Sequence, residues 1–409
     1  MRVLLVQKFS VIEPLGLMVL GNAMRRYGHE VKYFLYSGNA QILFDFDVTQ
    51  FDVVGFSTYT GNHIEVYECC EYLKSIGVKT AIGGPHATFF YDECKHYADY
   101  VFRGESVLSF PILNDKDIFP LVEPNHLIPD RRGFYKDSPF HRNNRIKNIM
   151  TSFGCPFTCS YCYNSLYREL YPNLKVRLRS VDSVVEEAKG LDADLIFFQD
   201  DFFGYKKSWL EEFNQKWEKR PYHAQMRIEM LDEYKIQLLR ESGCISVTIA
   251  IEAYSEEYRA TVLNRKMKND VIYQNCKMIL NSGMGLRTEQ MLGLPNTTLE
   301  DELLLLKFNC EIKPTIAWTS IFQPYRGTAL GEYCVKNNLY EGNNEDVAAS
   351  FFKESVLNYP SERKEEIKKL QEVFAMCAHI PNGWEYAEKI IRHNDNNLKE
   401  HLYSLLYRT

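Results

Sequence analysis

The sequence predicts an α/β protein with two parallel sheets in series: a doubly wound (Rossmann-like) sheet, then a partial (β/α)6 barrel, then a small helical C-terminal region. Three observations predict it. Short runs rich in Val, Ile and Leu recur at strand length. Between them lie stretches with apolar residues at helical spacing, several closed by glycine. Glycine or charged residues follow many strands, where the ligand loops of such sheets sit.

Arg2-Val-Leu-Leu-Val6 reads as the first buried strand, and residues 14–28 as a helix stopped by Gly28. His29–Phe34, Phe51–Ser57, Val78–Ile82 and Tyr100–Phe102 are the next strands, with a helix over 62–76 ending at Gly77. The loops at their carboxyl ends hold Ser57-Thr58-Tyr59, Gly83-Gly84-Pro85-His86 and Gly104-Glu105. Residues 111–145 are rich in Pro, Asn, Asp and Arg, lack periodicity and read as a linker or wrap. From about 146 the alternation resumes. Lys147–Thr151, Leu195–Phe198, His223–Ile228, Ser246–Ile251, Arg287–Leu292 and Thr315–Trp318 are six strands, with helices over 180–190, 206–217, 231–242 and 268–282. Asp200, Asp201, Arg227 and Glu252 stand at strand ends, on the catalytic face of such a barrel. The chain from about 340, with a Lys/Glu-rich run at 361–376, predicts a helical cap with solvated charges. These elements divide the chain into 1–125, a linker at 126–145, a core at 146–335 and a C-terminal region at 336–409.

A chain of 409 residues, 45% hydrophobic and 25% charged, has an ordinary globular composition. Its formal charge of −6 argues against a nucleic-acid partner, which needs a basic face. No signal peptide or membrane-length apolar run is visible, so a cytoplasmic protein is expected. Eight of the eleven cysteines are scattered and read as buried small hydrophobes. The other three form Cys155-Pro-Phe-Thr-Cys159-Ser-Tyr-Cys162, a spacing that random placement gives in roughly 1% of such chains. Zinc would want a fourth ligand, and no further Cys or His lies within ten residues. Three thiolates on one loop suit a cubane iron–sulfur (4Fe-4S) cluster with one iron left for a non-protein ligand. S-adenosylmethionine (SAM) chelates such an iron, and reduction of its sulfonium yields a 5′-deoxyadenosyl radical.

Residues 149–163, IMTSFGCPFTCSYCY, resemble the signature of the radical SAM superfamily, with Tyr161 as the usual aromatic before the last cysteine. The segments VVGFST, IGGPHAT and FRGES, then FQDDFF, IAIEA, MLGLPNTT and PYRGTAL, resemble its cobalamin (B12)-binding branch over about four-fifths of the chain. Phe153 and Arg326 depart from the common Arg and Pro. The resemblance implies cluster ligation by Cys155, Cys159 and Cys162. It also implies SAM contacts from Tyr161, Arg227, Glu252 and Gly293, the last in a turn bordering the adenosine. An Arg suits the SAM carboxylate because it can pair bidentately. Asp200 or Asp201 would receive the amine or a ribose hydroxyl. Adjacent residues on a strand face opposite sides, so only one of the two is expected to do so.

For cobalamin the resemblance implies the loops bearing Phe9, Ser57, Thr58, Gly83, Gly84, Pro85, His86, Gly104 and Glu105. No Gly-x-Gly-x-x-Gly follows the first strand, which counts against a dinucleotide. The Asp-x-His-x-x-Gly loop that ligates cobalt from below is also missing. Gln7-Lys-Phe-Ser-Val11 stands there, so Phe9, Val11 or a water is expected to cover the lower face. The resemblance implies a methyltransferase that attacks an unactivated carbon with a 5′-deoxyadenosyl radical and methylcobalamin. A rearrangement or cyclisation with the same cofactors is the alternative. The expected partners are a peptide, protein or small-molecule substrate and an electron donor such as flavodoxin or ferredoxin, without nucleic acid or membrane.

Overall fold

The computed structural model describes residues 1–116, 118–347 and 350–406. It divides into two units, Met1–Phe153 with Leu166–Asp194, and Gly154–Ser165 with Leu195–Thr409. The first holds five parallel strands: β1 (Arg2–Lys8), β2 (Glu30–Tyr36), β3 (Val53–Ser57), β4 (Lys79–Gly83) and β5 (Tyr100–Val101). Their order is β2-β1-β3-β4-β5. Leu4, Val6, Val54, Phe56 and Ile82 enter the core on one face. Val3, Leu5, Val53 and Ala81 enter the core on the other. Alternate residues of each strand are thus buried on opposite sides, which is why these strands read as unbroken apolar runs. The order reverses between β1 and β3, and the loops that follow those two strands flank that switch point.

The 126–145 segment is not an irregular linker. It forms short helices at Arg131–Asp137 and Pro139–Asn143, and Phe134 is fully buried in the core beneath β1 and β2. Arg131 anchors it, pairing with Glu13 at 2.8 Å and Glu187 at 2.7 Å. Arg131, Glu13 and Glu187 thus form a largely buried network whose members are far apart in sequence.

The second sheet has six strands: β6 (Ile146–Ile149), β7 (Leu195–Phe198), β8 (Tyr222–Met226), β9 (Cys244–Glu252), β10 (Gly285–Leu292) and β11 (Ile316–Ile321). Their order is β11-β10-β9-β8-β7-β6, with parallel pairing at each step from β7 to β11. One face is covered by helices. Tyr222 reaches Ser242 at the end of the Glu233–Glu241 helix, and Thr288 reaches Asn309 on the Leu299–Ile312 helix. The other face is the lumen of a half-barrel. Helices Ser361–Cys377, Gly383–His393 and Asn396–Leu406 close the chain, and no helix among the described residues is long and apolar enough to cross a membrane.

The β4 loop shows how tightly the first sheet's rim is built. Gly84 has φ +93°, and a Cβ there would lie 2.7 Å from the Thr58 carbonyl oxygen. Gly84→Ala is expected to lower the unfolding free energy of the full chain by about 2 kcal/mol, measured by urea denaturation.

Candidate functional site: the cysteine loop and the rim of the first sheet

The cysteine loop leaves β6 and is pinned from outside rather than by its own secondary structure. Ser160 donates its N–H to the Leu263 carbonyl at 3.1 Å and its hydroxyl to the Val262 carbonyl at 2.6 Å. Leu330 donates to the Ser160 carbonyl at 2.8 Å, and the Asn264 amide donates to the Thr158 carbonyl at 2.8 Å. Cys159 is buried, while Cys155 and Cys162 are half-buried. Burial raises the thiol of Cys155 and pushes that of Cys162 up to about 11; both also feel the charge of Cys159. Two guanidinium groups face Cys159: Nη1 of Arg227 at 3.5 Å and Nη1 of Arg265 at 3.9 Å from its Sγ. A sulfur bound to metal there would lie beside two fixed cations.

Around that loop the strand ends deliver charge. Arg227 follows β8, lies over the Phe157 ring at 4.0 Å and pairs with Glu229. Glu252 ends β9 with φ +70°, where the register to β10 shifts. A non-glycine residue in that conformation is strained, and such strain gathers at functional sites. The Glu252 carboxylate accepts the Tyr161 hydroxyl at 2.6 Å and lies 3.6 Å from Arg265. Arg265 also donates to the Tyr161 oxygen at 3.0 Å and to the Ala250 carbonyl at 2.7 Å. Asp200 is fully buried. The charge of Asp201 instead bears on Cys155 and Cys162, so Asp201 is the member of the pair on the cysteine side. Desolvation raises the Asp201 carboxyl, and the Asn164 amide opposes the shift.

Gly293 follows β10 at φ +69°. Its N–H donates to the buried Glu302 at 2.6 Å, and Glu302 pairs with Arg363 at 2.6 Å. The hydroxyls of Tyr359 and Tyr258 donate to the carbonyls of Leu294 and Pro295 at 2.6 and 2.7 Å. The turn bearing Gly293 is therefore held by Glu302 with Arg363 of the Ser361–Cys377 helix, and by Tyr359 and Tyr258. Arg265, Glu229, Glu302 and Arg363 are the residues that sequence reasoning missed. Arg265 lies in Asn-Arg-Lys-Met-Lys, which reads as a solvated basic run. Glu302 lies in an acidic helix start, where carboxylates are expected on general grounds.

At the rim of the first sheet, Phe9 packs edge-on against Phe140 at 5.1 Å, and Phe9, Val11, Ile12 and Phe140 are all exposed. Ser57 and Gly83 lie half-buried at the ends of β3 and β4. Thr58 is fully buried, and its Oγ1 has no hydrogen-bond partner. Pro85 opens a short helix that turns His86 inward, where its ring is bonded to the Thr60 and Tyr67 hydroxyls, both at 2.9 Å. Gly104 backs onto the Tyr171 hydroxyl, and Glu105 is spent on Arg177 at 2.6 Å and the Val122 N–H at 2.7 Å. His86 and Glu105 therefore shape the rim from behind.

Residues 1–114 match the B12 binding domain family, and residues 149–308 match the Radical SAM superfamily. The chain is a cobalamin-dependent radical SAM enzyme. Its cofactors are a 4Fe-4S cluster, SAM and cobalamin. An uncharacterized methyltransferase of Pyrococcus horikoshii is 26% identical, across 80% of this chain and 79% of its own. The cytidylyl-2-hydroxyethylphosphonate methyltransferase of Streptomyces wedmorensis is 22% identical, across 85% and 82%. The radical S-adenosylmethionine methyltransferase TsrM from Kitasatospora setae, solved with cobalamin and a 4Fe-4S cluster, shares the fold at a TM-score of 0.64. It is 16% identical over 82% of this chain and 75% of that one.

The residues of this radical SAM enzyme fit those groups. Three clustered thiols beside two guanidiniums suit a thiolate-bound cluster. The unpartnered Thr58 hydroxyl and the exposed apolar residues after β1 suit a large ligand with polar and apolar faces. Replacing any one of Cys155, Cys159 or Cys162 with Ala is expected to remove most of the iron taken up in anaerobic reconstitution, read by iron assay and visible absorbance.

His63 supplies a pH handle on the same rim. Burial, helped by the neighbouring His86, lowers its pKa from 6.5 to about 4. The unfolded chain thus binds a proton that the folded chain refuses between those values, so stability falls as pH drops from 6.5 toward 4. His63→Asn is expected to flatten that part of the profile in thermal melts across the same window.

Proposed function

We propose that this enzyme is a methyltransferase acting on an unactivated carbon of a peptide or small molecule. The observation that carries the reading is the meeting of the three-cysteine loop with Arg227, Arg265, Glu252 and Asp201, in a chain whose B12 domain offers apolar residues after β1. The names of the Pyrococcus and Streptomyces relatives support it. When bound, the cluster and SAM supply a 5′-deoxyadenosyl radical, and cobalamin supplies the methyl group.

The chain's own residues hold and orient these parts. Cys155, Cys159 and Cys162 hold the cluster. Arg265 and Arg227 are the cations available to the SAM carboxylate, and Asp201 is the acceptor for its amine or a ribose hydroxyl. Tyr161 fixes Glu252 at its strained position. Glu302 fixes the Gly293 turn that borders the adenosine. Phe9 and Val11, exposed after β1, are the apolar residues that would face cobalamin there, in place of a histidine ligand and alongside water. Ser57, Thr58, Gly83, Gly84, Pro85 and Gly104 would hold cobalamin, with His86 and Glu105 as supports. A cytoplasmic flavodoxin or ferredoxin supplies the electrons.

Reduced enzyme loaded with cluster and cobalamin and given methyl-deuterated SAM is expected to release S-adenosylhomocysteine and to leave the label with the cobalamin, read by mass spectrometry. Formation of 5′-deoxyadenosine alone would point instead to a rearrangement or cyclisation. Formation of neither product by protein that binds both cofactors would sink the reading.

A further inference from the structure

A closed barrel fills its interior with bulky side chains. The central strand of this half-barrel does otherwise. On the central strand β9 the lumen positions are Ser246, Thr248 and Ala250, all small, and Ala250 is half-exposed although its strand is paired on both sides. Beside that opening, β10 presents Arg287 and Glu289, paired at 2.8 Å, and β11 presents Trp318. The register places Glu289 between Ala250 and Trp318, one lumen position below the strained Glu252. The Arg287 guanidinium lies over the Trp318 ring at 4.3 Å, and its Nε is buried with no hydrogen-bond partner. Trp318 is 38% exposed, and Phe352, packed edge-on against it at 5.0 Å, is 40% exposed.

Two chemistries meet on this wall. The guanidinium has five donors, and Glu289 is its one ion-pair partner among the described residues, so hydrogen-bond capacity is left for an acceptor-rich group. The Trp318–Phe352 shelf offers a flat apolar surface. The neighbouring His223 adds no competing donor for an anion, because its ring is bonded to the Ser246 and Thr248 hydroxyls. Burial raises the Glu289 carboxyl, with Glu252 adding to the shift, so the native counter-ion of Arg287 is itself held at a cost.

We propose that Arg287, Glu289 and Trp318 form the substrate-recognition wall of the lumen, and that the substrate is an oxyanion, carboxylate or phosphate, carried on a flat apolar body. Arg287 pairs with the oxyanion in competition with Glu289, and Trp318 carries the body toward the rim where Glu252 stands. This rests on the methyltransferase reading and names the substrate class for it.

The test is direct binding to the reconstituted holoenzyme, with 2-naphthoate, 2-naphthyl phosphate and the neutral 2-naphthamide as probes in equilibrium dialysis. Circular dichroism and cluster absorbance confirm that each variant folds. At least one oxyanion probe is expected to bind about ten-fold or more tighter than the amide, and the tighter of the two identifies the group. Arg287→Gln abolishes that preference and R287K restores part of it. E289Q tightens oxyanion binding about three-fold or more by removing the competing carboxylate. Trp318→Ala weakens all three probes. The proposal is overturned if no probe binds, if the amide binds as well as the oxyanions, if Arg287→Gln leaves the preference intact, or if E289Q weakens oxyanion binding, which would mark a zwitterion or cation site. Formation of 5′-deoxyadenosine and S-adenosylhomocysteine is measured separately and without these probes, so failure here leaves the radical chemistry standing.

Discussion

The buried guanidinium of Arg265 is the point on which the arrangement around the cysteines depends. It reaches Tyr161 on the cysteine loop, Glu252 and Ala250 at the end of β9, and the Cys159 sulfur. A cation so deep is costly unless its surroundings are acidic or accepting. Glu252, the Tyr161 oxygen and a backbone carbonyl meet that cost, and Tyr161 and Glu252 raise the guanidinium's own proton affinity despite its burial. One interaction thereby joins a loop of thiols, a strand end in a left-handed conformation, and a fixed positive charge beside a sulfur.

The legibility of the fold follows from the same physics. Strands of the first sheet are buried on both faces, so their apolar runs stand out and glycines mark their ends. The strand-end charges of the second sheet were legible because polar groups at the carboxyl ends of barrel strands have few structural reasons to be there. In the fold Asp201 and Glu252 lie beside the cysteine loop. The alternation of strand side chains also separated Asp201 from the buried Asp200.

What was hidden depended on partners distant in sequence. Arg265 sits in a basic run and looks solvated until Glu252 and Tyr161 are brought to it. Phe134 is one aromatic in a polar stretch, and nothing local says that it completes the core beneath β1 and β2. His86 and Glu105 were legible as rim residues. Their engagement with Thr60, Tyr67, Arg177 and Val122 was not, because periodicity reports burial and never the identity of a polar partner. The left-handed backbone of Glu252 has no signature in side-chain identity at all.

The chain Gly293–Glu302–Arg363 has a consequence for anyone reshaping this protein. The C-terminal helices look like an attractive place for directed evolution, being late in the chain and charged on their outer faces. Yet Arg363 and Tyr359 belong to the scaffolding of a loop made some seventy residues earlier. A chimera that imports those helices from a relative would transplant half of an ion pair. Its recombination junction belongs upstream of β10, so that the turn, its glutamate and its arginine travel together.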